Sequence, residues 1–591
     1  MSATQQKTQH FVDSADGVRI AVHEEGNPDG PTVVLVHGWP DSHVLWDGVV
    51  PLLAERFRII RYDNRGVGLS SAPKPVSAYT MARFADDFAA VIGELSPGQP
   101  VQVLAHDWGS VGIWEFLKRP GAGDRVAAFT SVSGPSQDQL VAYIFSGLRQ
   151  PWRPRRFARS ISQALRLTYM AFFSIPVLPA LLLRAALSSK AVRSNIVDNI
   201  PAEQIHHAGN LAADAARSVK TYPANYFRSF TKRQQPGIVD VPVQLIVNIH
   251  DKYVRPYGYD DSARWVPRLW RRDIKGGHFS PMSHPLVMAA AVHDFADLAD
   301  GRQPGRALLR AQVGRPRGSF GDTLVSVTGA GSGIGRETAF AFARAGAELV
   351  VSDIDEAAVK ETAAEITARG GTAHAYVLDV SDGAAVEAFA ERISAEHGLP
   401  DVVVNNAGIG QAGNFLDTPA EQFDRVLDVN LGGVVNGCRS FGRRLVERGT
   451  GGHIVNVSSM AAYAPLQSLN AYCTSKAATY MFSDCLRAEL DSAGVGLTTI
   501  CPGLIDTNFI NTTRFDAPAG KQDDHVDGRR GQLGKMFALR HYGPDKVANA
   551  ILSSVTKGKP IRPVAPEAYA LYGVSRVLPQ ALRSTARMRV I

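Results

Sequence analysis

Two series of short apolar runs, rich in Val, Ile and Leu and separated by longer stretches of helical periodicity, restrict this chain to one class of architecture. "TVVLVHG", "FRIIRYD", "VQVLAHD", "VAAFTSVSG" and "VPVQLIVNIHD" fall in the first half. "TLVSVTGAG", "ELVVSDID", "AHAYVLDV", "DVVVNNAG", "GHIVNVSS" and "GLTTICPG" fall in the second. Runs that are apolar at nearly every position suit strands covered on both faces, and intervening helices suit parallel crossovers, so the predicted class is α/β. A chain of 591 residues exceeds what one core holds. The Gly-, Pro- and Arg-rich stretch "DGRQPGRALLRAQVGRPRGSFGD" reads as the junction. The expected division is a first domain at 1–304, a linker at 305–320 and a second domain at 321–591.

Composition narrows the function classes. Hydrophobic residues make up 45% of the chain and charged residues 20%, a globular balance. A formal charge of +7 over this length is not a nucleic-acid footprint, and no DNA- or RNA-binding motif accompanies it. The four cysteines, Cys438, Cys473, Cys485 and Cys501, lack metal-ligand spacing. They fit a reducing compartment, with neither a disulfide framework nor a metal centre expected. The opening residues "MSATQQKTQH" lack the apolar core of an export signal, so a cytoplasmic location is expected. The longest greasy stretch, "AFFSIPVLPALLL", is too short to span a bilayer and is broken by Pro176 and Pro179. Just before it, from Arg149 to Arg166, stand six arginines and no acid. That pattern suits either a solvated basic face over an apolar lid or peripheral contact with a membrane surface or anionic lipid.

In "VLAHDWGS" Asp107 lies between a buried strand and a helix, with Ala105 and Gly109 leaving room for a tight turn. Such an elbow exposes its central side chain and aims helix N–H groups toward it. A serine there would make an esterase. A carboxylate suits attack on a carbon bearing an epoxide oxygen or a halide, leaving an alkyl-enzyme ester. Hydrolysing that ester requires a base and an oxyanion site. "GGHF" supplies His278, "NIHDKYV" supplies Asp251 to orient the imidazole, and "HGWP" brings the Trp39 N–H beside that of Trp108. His37 and His106 are expected to be structural, as is Asp63 in "YDNRGVG".

These pieces in this order resemble the epoxide hydrolases of the α/β-hydrolase fold, which share the Asp nucleophile with haloalkane dehalogenases. The resemblance covers roughly residues 10–300. It implies a helical lid at about 136–235 carrying two tyrosines that donate hydrogen bonds to the epoxide oxygen. Tyr169 of "TYMAFFSIP" stands for the first. The second is expected in "NYFR", where Phe227 holds the aligned position and Tyr226 precedes it; one residue turns a helical side chain by roughly 100°. Epoxide hydrolysis is expected ahead of dehalogenation, with a non-catalytic lipid-docking module as the alternative.

"TGAGSGIG" follows a strand and opens the helix "RETAFAFARAG". Gly329, Gly333 and Gly335, with Ser332 and Ile334 among them, let the chain turn tightly and a pyrophosphate approach the helix N-terminus. Asp353, ending "ELVVSD", sits where a carboxylate grips ribose hydroxyls and repels a 2′-phosphate, so NAD is expected over NADP. Tyr472 and Lys476 share one helix face, where the lysine can lower the phenol's pKa and hold the nicotinamide ribose. Ser459 would hydrogen-bond a substrate carbonyl or hydroxyl, and Asn430 would anchor a proton-relaying water. "DTNFINTTRFDAPAGKQDDHVDGRRGQLGK" is expected to be a mobile cover.

This set resembles the short-chain dehydrogenase/reductase family across nearly all of residues 321–560, with the Rossmann-type doubly wound fold. The resemblance implies that Asp379 and Val380 lie near the adenine, that Asn406, Ala407 and Gly408 line the cofactor, and that Pro502, Gly503 and Thr507 lie near the carboxamide. It also implies a homo-oligomer formed through this domain. The two domains in one chain resemble two-domain actinobacterial proteins of lipid metabolism. The resemblance implies a lipophilic epoxide or hydroxy-lipid substrate, of fatty or mycolic acid type. The first domain would open the epoxide to a vicinal diol, and the second would interconvert a secondary alcohol and a ketone.

Overall fold

The all-apolar runs form two separate sheets in the computed structural model, which describes residues 8–189, 191–193, 200, 204–231, 236–516, 542–583 and 586. They belong to two units, Met1–Arg315 and Pro316–Ile591. The first sheet comprises β1 (Thr8–Asp13), β2 (Arg19–Gly26), β3 (Thr32–Val36), β4 (Arg58–Tyr62), β5 (Val101–His106), β6 (Val126–Val132), β7 (Val243–Asn248) and β8 (Leu269–Ile274). Their spatial order is β1-β2-β4-β3-β5-β6-β7-β8. The β1–β2 and β2–β4 pairings are antiparallel, and every later pairing is parallel.

Strand β3 shows why its run is apolar throughout. Val34 and Val36 pack with Phe88 and Trp114 on one face, while Val33 and Leu35 pack with Trp46 and Met288 on the other. Between β6 and β7 the chain leaves the sheet to build the lid. Its described helices are Gln137–Leu148, Pro154–Arg166, Tyr169–Phe173, Leu178–Ala186, Leu211–Ser218 and Thr221–Thr231.

The second unit contains β9 (Leu324–Thr328), β10 (Glu348–Asp353), β11 (Thr372–Val377), β12 (Val402–Asn405), β13 (Gln411–Ala412), β14 (Gly452–Val457), β15 (Val495–Pro502), β16 (Arg514–Phe515) and β17 (Ile561–Val564). Seven form one sheet in the order β11-β10-β9-β12-β14-β15-β17, and β13 pairs with β16. All pairings of the seven-stranded sheet are parallel. The order reverses beside β9, the switch point at which doubly wound sheets bind ligands.

The junction differs from the expected linker. Arg306–Ala311 is a helix whose Leu308 and Ala311 are buried with Trp270 and Phe295 of the first unit. The leucine and alanine within "RALLRA" give one apolar side to a segment whose Gly and Pro content suggested none. Among the described residues no single helix is long and apolar enough to cross a membrane.

Candidate active sites

The Asp107 elbow is strained and glycine-walled. Asp107 has a φ of 47°, left-handed for a residue with a Cβ, directly between β5 and the helix Asp107–Leu117. Three glycines let other backbone come close. A Cβ on Gly38 would meet the Asp107 Cβ at 2.4 Å, one on Gly109 the His37 carbonyl at 2.2 Å, and one on Gly134 the Asp107 carbonyl at 2.3 Å. The Trp39 backbone N–H donates to Asp107 Oδ2 at 3.0 Å, and the Trp108 backbone N–H donates to the same carboxylate. Oxygen Oδ2 thus rests against backbone. The other, Oδ1, lies 3.7 Å from His278 Nε2.

His278 Nδ1 faces Asp251 Oδ2 at 2.9 Å, and Asp251 Oδ1 accepts from the Tyr253 and Val254 backbone N–H groups. The structure thus brings together the three residues that motif order had paired. Burial would lower the imidazole's pKa, but the charge and hydrogen bond of Asp251, with the charge of Asp107, hold it up at about 9. Burial pushes the Asp107 carboxyl above its ordinary value, against the pull of His278 and the two N–H donors. Asp251 is held below the carboxylate range: burial opposes this, and His278 and the loop N–H groups prevail. His37 accepts the Asn64 N–H at Nε2, His106 bonds the His278 carbonyl, and Asp63 accepts from the His43 backbone and ring; each braces a loop.

Above the elbow the lid supplies phenols. Asp107, Trp108, Tyr169 and Tyr226 line a cavity of about 70 Å³, with Val111, Leu140, Leu167 and Met170 among its apolar walls. Tyr226 therefore does face the cavity; the side chain of Phe227 lies outside the described residues. The sequence reading missed Tyr222. Its buried phenol is hydrogen-bonded to Trp108 and to Tyr169. Its ring packs edge-on to Trp39, Trp108 and Tyr169, at 5.2, 5.4 and 5.9 Å between centroids. The available signal was spacing: Tyr222 precedes Tyr226 by four residues on one helix, and so shares its face.

In the second unit the glycine-rich turn opens onto a cavity of about 400 Å³. Gly329, Ser332, Gly333, Ile334, Asp353, Asp379, Val380, Asn406, Ala407, Gly408, Pro502, Gly503 and Thr507 line it, together with Ser459, Tyr472 and Lys476. Two expected residues stand behind the wall. Gly335 is a packing glycine, since a Cβ there would meet the Gly329 carbonyl at 2.0 Å. Asn430 is fully buried, accepting from the Ile409 N–H and donating to the Ile409 carbonyl and Ser475 Oγ. It sits in a π-helical turn, Asp428–Gly432.

The residues present fit a nicotinamide dinucleotide. The cavity is of ligand size, and Gly329 and Gly333 take positive φ where the pyrophosphate would approach. A side chain on Gly408 would come within 3.4 Å of Lys476 Nζ. Asp353 ends β10 with Oδ2 accepting the Gly331 N–H at 2.8 Å. Arg336 is paired with Glu365 and, at 3.4 Å, with Glu361. The Tyr472 hydroxyl is hydrogen-bonded to Ser459, and burial pushes the phenol up to about 12. Lys476 donates to the Val457 carbonyl at 3.0 Å, and burial pushes its ammonium down to about 8. Of the expected cover, residues 517–535 lie outside the described residues.

Comparison with known proteins agrees with both halves. The family model for the alpha/beta hydrolase fold matches residues 31–285, and that for short chain dehydrogenases matches residues 323–517. "Probable oxidoreductase EphD" of Mycobacterium tuberculosis is 80% identical over 594 residues, covering the whole of both chains. Over 200 residues the chain is 40% identical to 1-deoxy-11-beta-hydroxypentalenate dehydrogenase of Streptomyces exfoliatus, covering 34% of this chain and 72% of that protein. Over 239 residues it is 32% identical to C alpha-dehydrogenase of a Sphingobium species, covering 40% of this chain and 78% of that protein. The chain belongs to the EphD family, two-domain enzymes that join an α/β-hydrolase to a short-chain dehydrogenase with its nicotinamide cofactor.

Proposed function

We propose that the first domain hydrolyses a lipophilic epoxide to a vicinal diol through an ester on Asp107. The arrangement of indole and phenol groups above the nucleophile carries this reading over dehalogenation. A departing halide needs free indole N–H donors. Here Trp39 Nε1 donates to the Ala215 carbonyl at 3.2 Å, and the Trp108 side chain is engaged by Tyr222. The hydroxyls of Tyr169 and Tyr222 instead meet over Asp107, where an alkoxide would form and need a proton. Asp107 Oδ1 attacks the epoxide carbon, the C–O bond breaks, and a phenol protonates the departing oxygen. His278 then takes a proton from water, which attacks the Asp107 carbonyl while the Trp39 and Trp108 N–H groups hold the oxyanion. The ester C–O bond breaks, the diol leaves with the proton from His278, and the carboxylic acid proton returns to the phenol. The apolar cavity walls favour a lipophilic substrate over a polar one.

The second domain is proposed to interconvert a secondary alcohol and a ketone with NAD. When bound, the cofactor takes up or delivers the hydride. Tyr472 exchanges the hydroxyl proton, Ser459 orients the substrate oxygen, and Lys476 supplies positive charge beside the phenol. Asp353 at the ribose position and the engagement of Arg336 by two glutamates support NAD over NADP. Both sites act on an oxygenated carbon, so the diol from the first is a substrate for the second.

Trapping tests the hydrolytic half. The His278→Gln variant lacks the base for the second step, so incubation with a panel of epoxides should leave an ester adduct on the peptide holding Asp107, seen by mass spectrometry. Adducts from haloalkanes but not epoxides would give the domain to dehalogenation. No adduct from either would leave it a docking module. In wild-type protein, NADH formation from the same diol and NAD tests the coupling, and its absence would make the two domains mere neighbours.

A further inference from the structure

We infer that the lid helices Pro154–Arg166, Tyr169–Phe173 and Leu178–Ala186 form a docking face for an anionic lipid bilayer. Residues 139–197 contain eight arginines, one lysine and no acid. Some of this charge is consumed within the protein. Arg156 is paired with Asp261 at 2.5 Å, Arg159 lies 3.6 Å from Asp260, and Arg166 donates to the Lys252 carbonyl. Arg153, Arg155 and Arg184 are exposed, and among the described residues no carboxylate pairs with them.

The same segment is unusually apolar on its outer side. Trp152 is 73% exposed, Leu165 65%, Val177 71% and Leu181 61%, with Phe172, Ile175, Leu178 and Leu182 also exposed. Isolated exposed apolar residues are ordinary, but this many within one short segment form a patch that a solvated face does not need. Apolar side chains flanked by unpaired arginines match the interface of an anionic bilayer, where the greasy groups enter the acyl boundary and the guanidinium groups meet phosphates. A protein partner with an acidic rim would match the charge. It would not explain leucines and a valine projecting at the bend between two helices, a shape suited to insertion. The inner side of these helices carries Leu167, Tyr169 and Met170, which line the cavity over Asp107. One thin layer of chain therefore separates the bilayer-facing patch from the reacting carboxylate.

Sedimentation of the full chain with phosphatidylglycerol vesicles and with neutral phosphatidylcholine vesicles tests this. The expected result is binding to the anionic vesicles that weakens with salt. It should fall about fivefold for each arginine removed in Arg153→Gln and Arg155→Gln, and fall again in Leu178→Ser with Leu181→Ser. Unchanged melting of each variant shows that the lid still folds. Equal binding to both vesicle types, indifference to the arginines, or no sedimentation with either would overturn the proposal. None of these readouts depends on the epoxide reading, so the two fail separately.

Discussion

Lys476 illustrates how a working residue weakens the fold that holds it. Its ammonium is buried and its pKa is down at about 8 from 10.5, so the folded state disfavours the charged form. The unfolded chain binds more protons between those values, and stability therefore rises with pH across that window. Below about pH 8 the full penalty stands. Lys476→Met should abolish hydride transfer. At pH 7 it should raise the stability of the cofactor-free second domain by up to about 3 kcal/mol, with the gain fading toward pH 10.5. Denaturant melts at two pH values check this, and a methionine variant less stable at pH 7 would refute it. At this scale the sequence was most informative where chemistry fixes spacing. His278 bonds Asp251 and lies 3.7 Å from Asp107, and Tyr472 lies beside Lys476, as motif order implied. Tyr222 was legible only as a residue sharing the face of Tyr226, because its position over Asp107 depends on where the lid helix lands.

Apart from β11, a half-buried edge strand, the strands legible as apolar runs are those buried on both faces. All eleven apolar runs are strands of the two main sheets. The strands missed are the exposed edge strand β1 and its antiparallel neighbour β2, β8, whose "LWRRDI" carries adjacent arginines, the short β17, and the two-residue β13 and β16 outside the main sheets. Edge strands need polar residues against unwanted pairing, and that erases the uniform apolar signal. Turns were legible through glycine. The helix Gly333–Arg344 begins against the preceding turn so closely that a Cβ on Gly335 would also lie 2.5 Å from Asn406 Nδ2. Gly335→Ala should therefore push the helix off the turn. The expected outcome is loss of NAD binding by titration calorimetry and a destabilisation of about 2 kcal/mol or more, confined to the second domain. A variant that binds NAD normally would show that the turn yields more easily than its geometry implies.

For the whole molecule, the chain divides between Arg315 and Pro316, inside the 305–320 stretch read from composition as the linker. In the first unit the Val313 N–H still donates to the Leu269 carbonyl. In the second unit, Gly318 already lies so close to the Ala345 carbonyl that a Cβ would sit 2.2 Å from it. Brief trypsin treatment should cut first after Arg317, and the two fragments should keep hydrolysis and NAD binding separately. Early cleavage inside either sheet would contradict the boundary. The acid-free lid segment has a further consequence. Its nine positive charges exceed the formal +7 of the entire chain, so everything outside it sums to −2. The net positive charge of the chain is thus carried by the stretch that builds the lid over one catalytic cavity. Any negatively charged sheet would draw that stretch toward itself before touching, and dissolved salt would blunt the attraction.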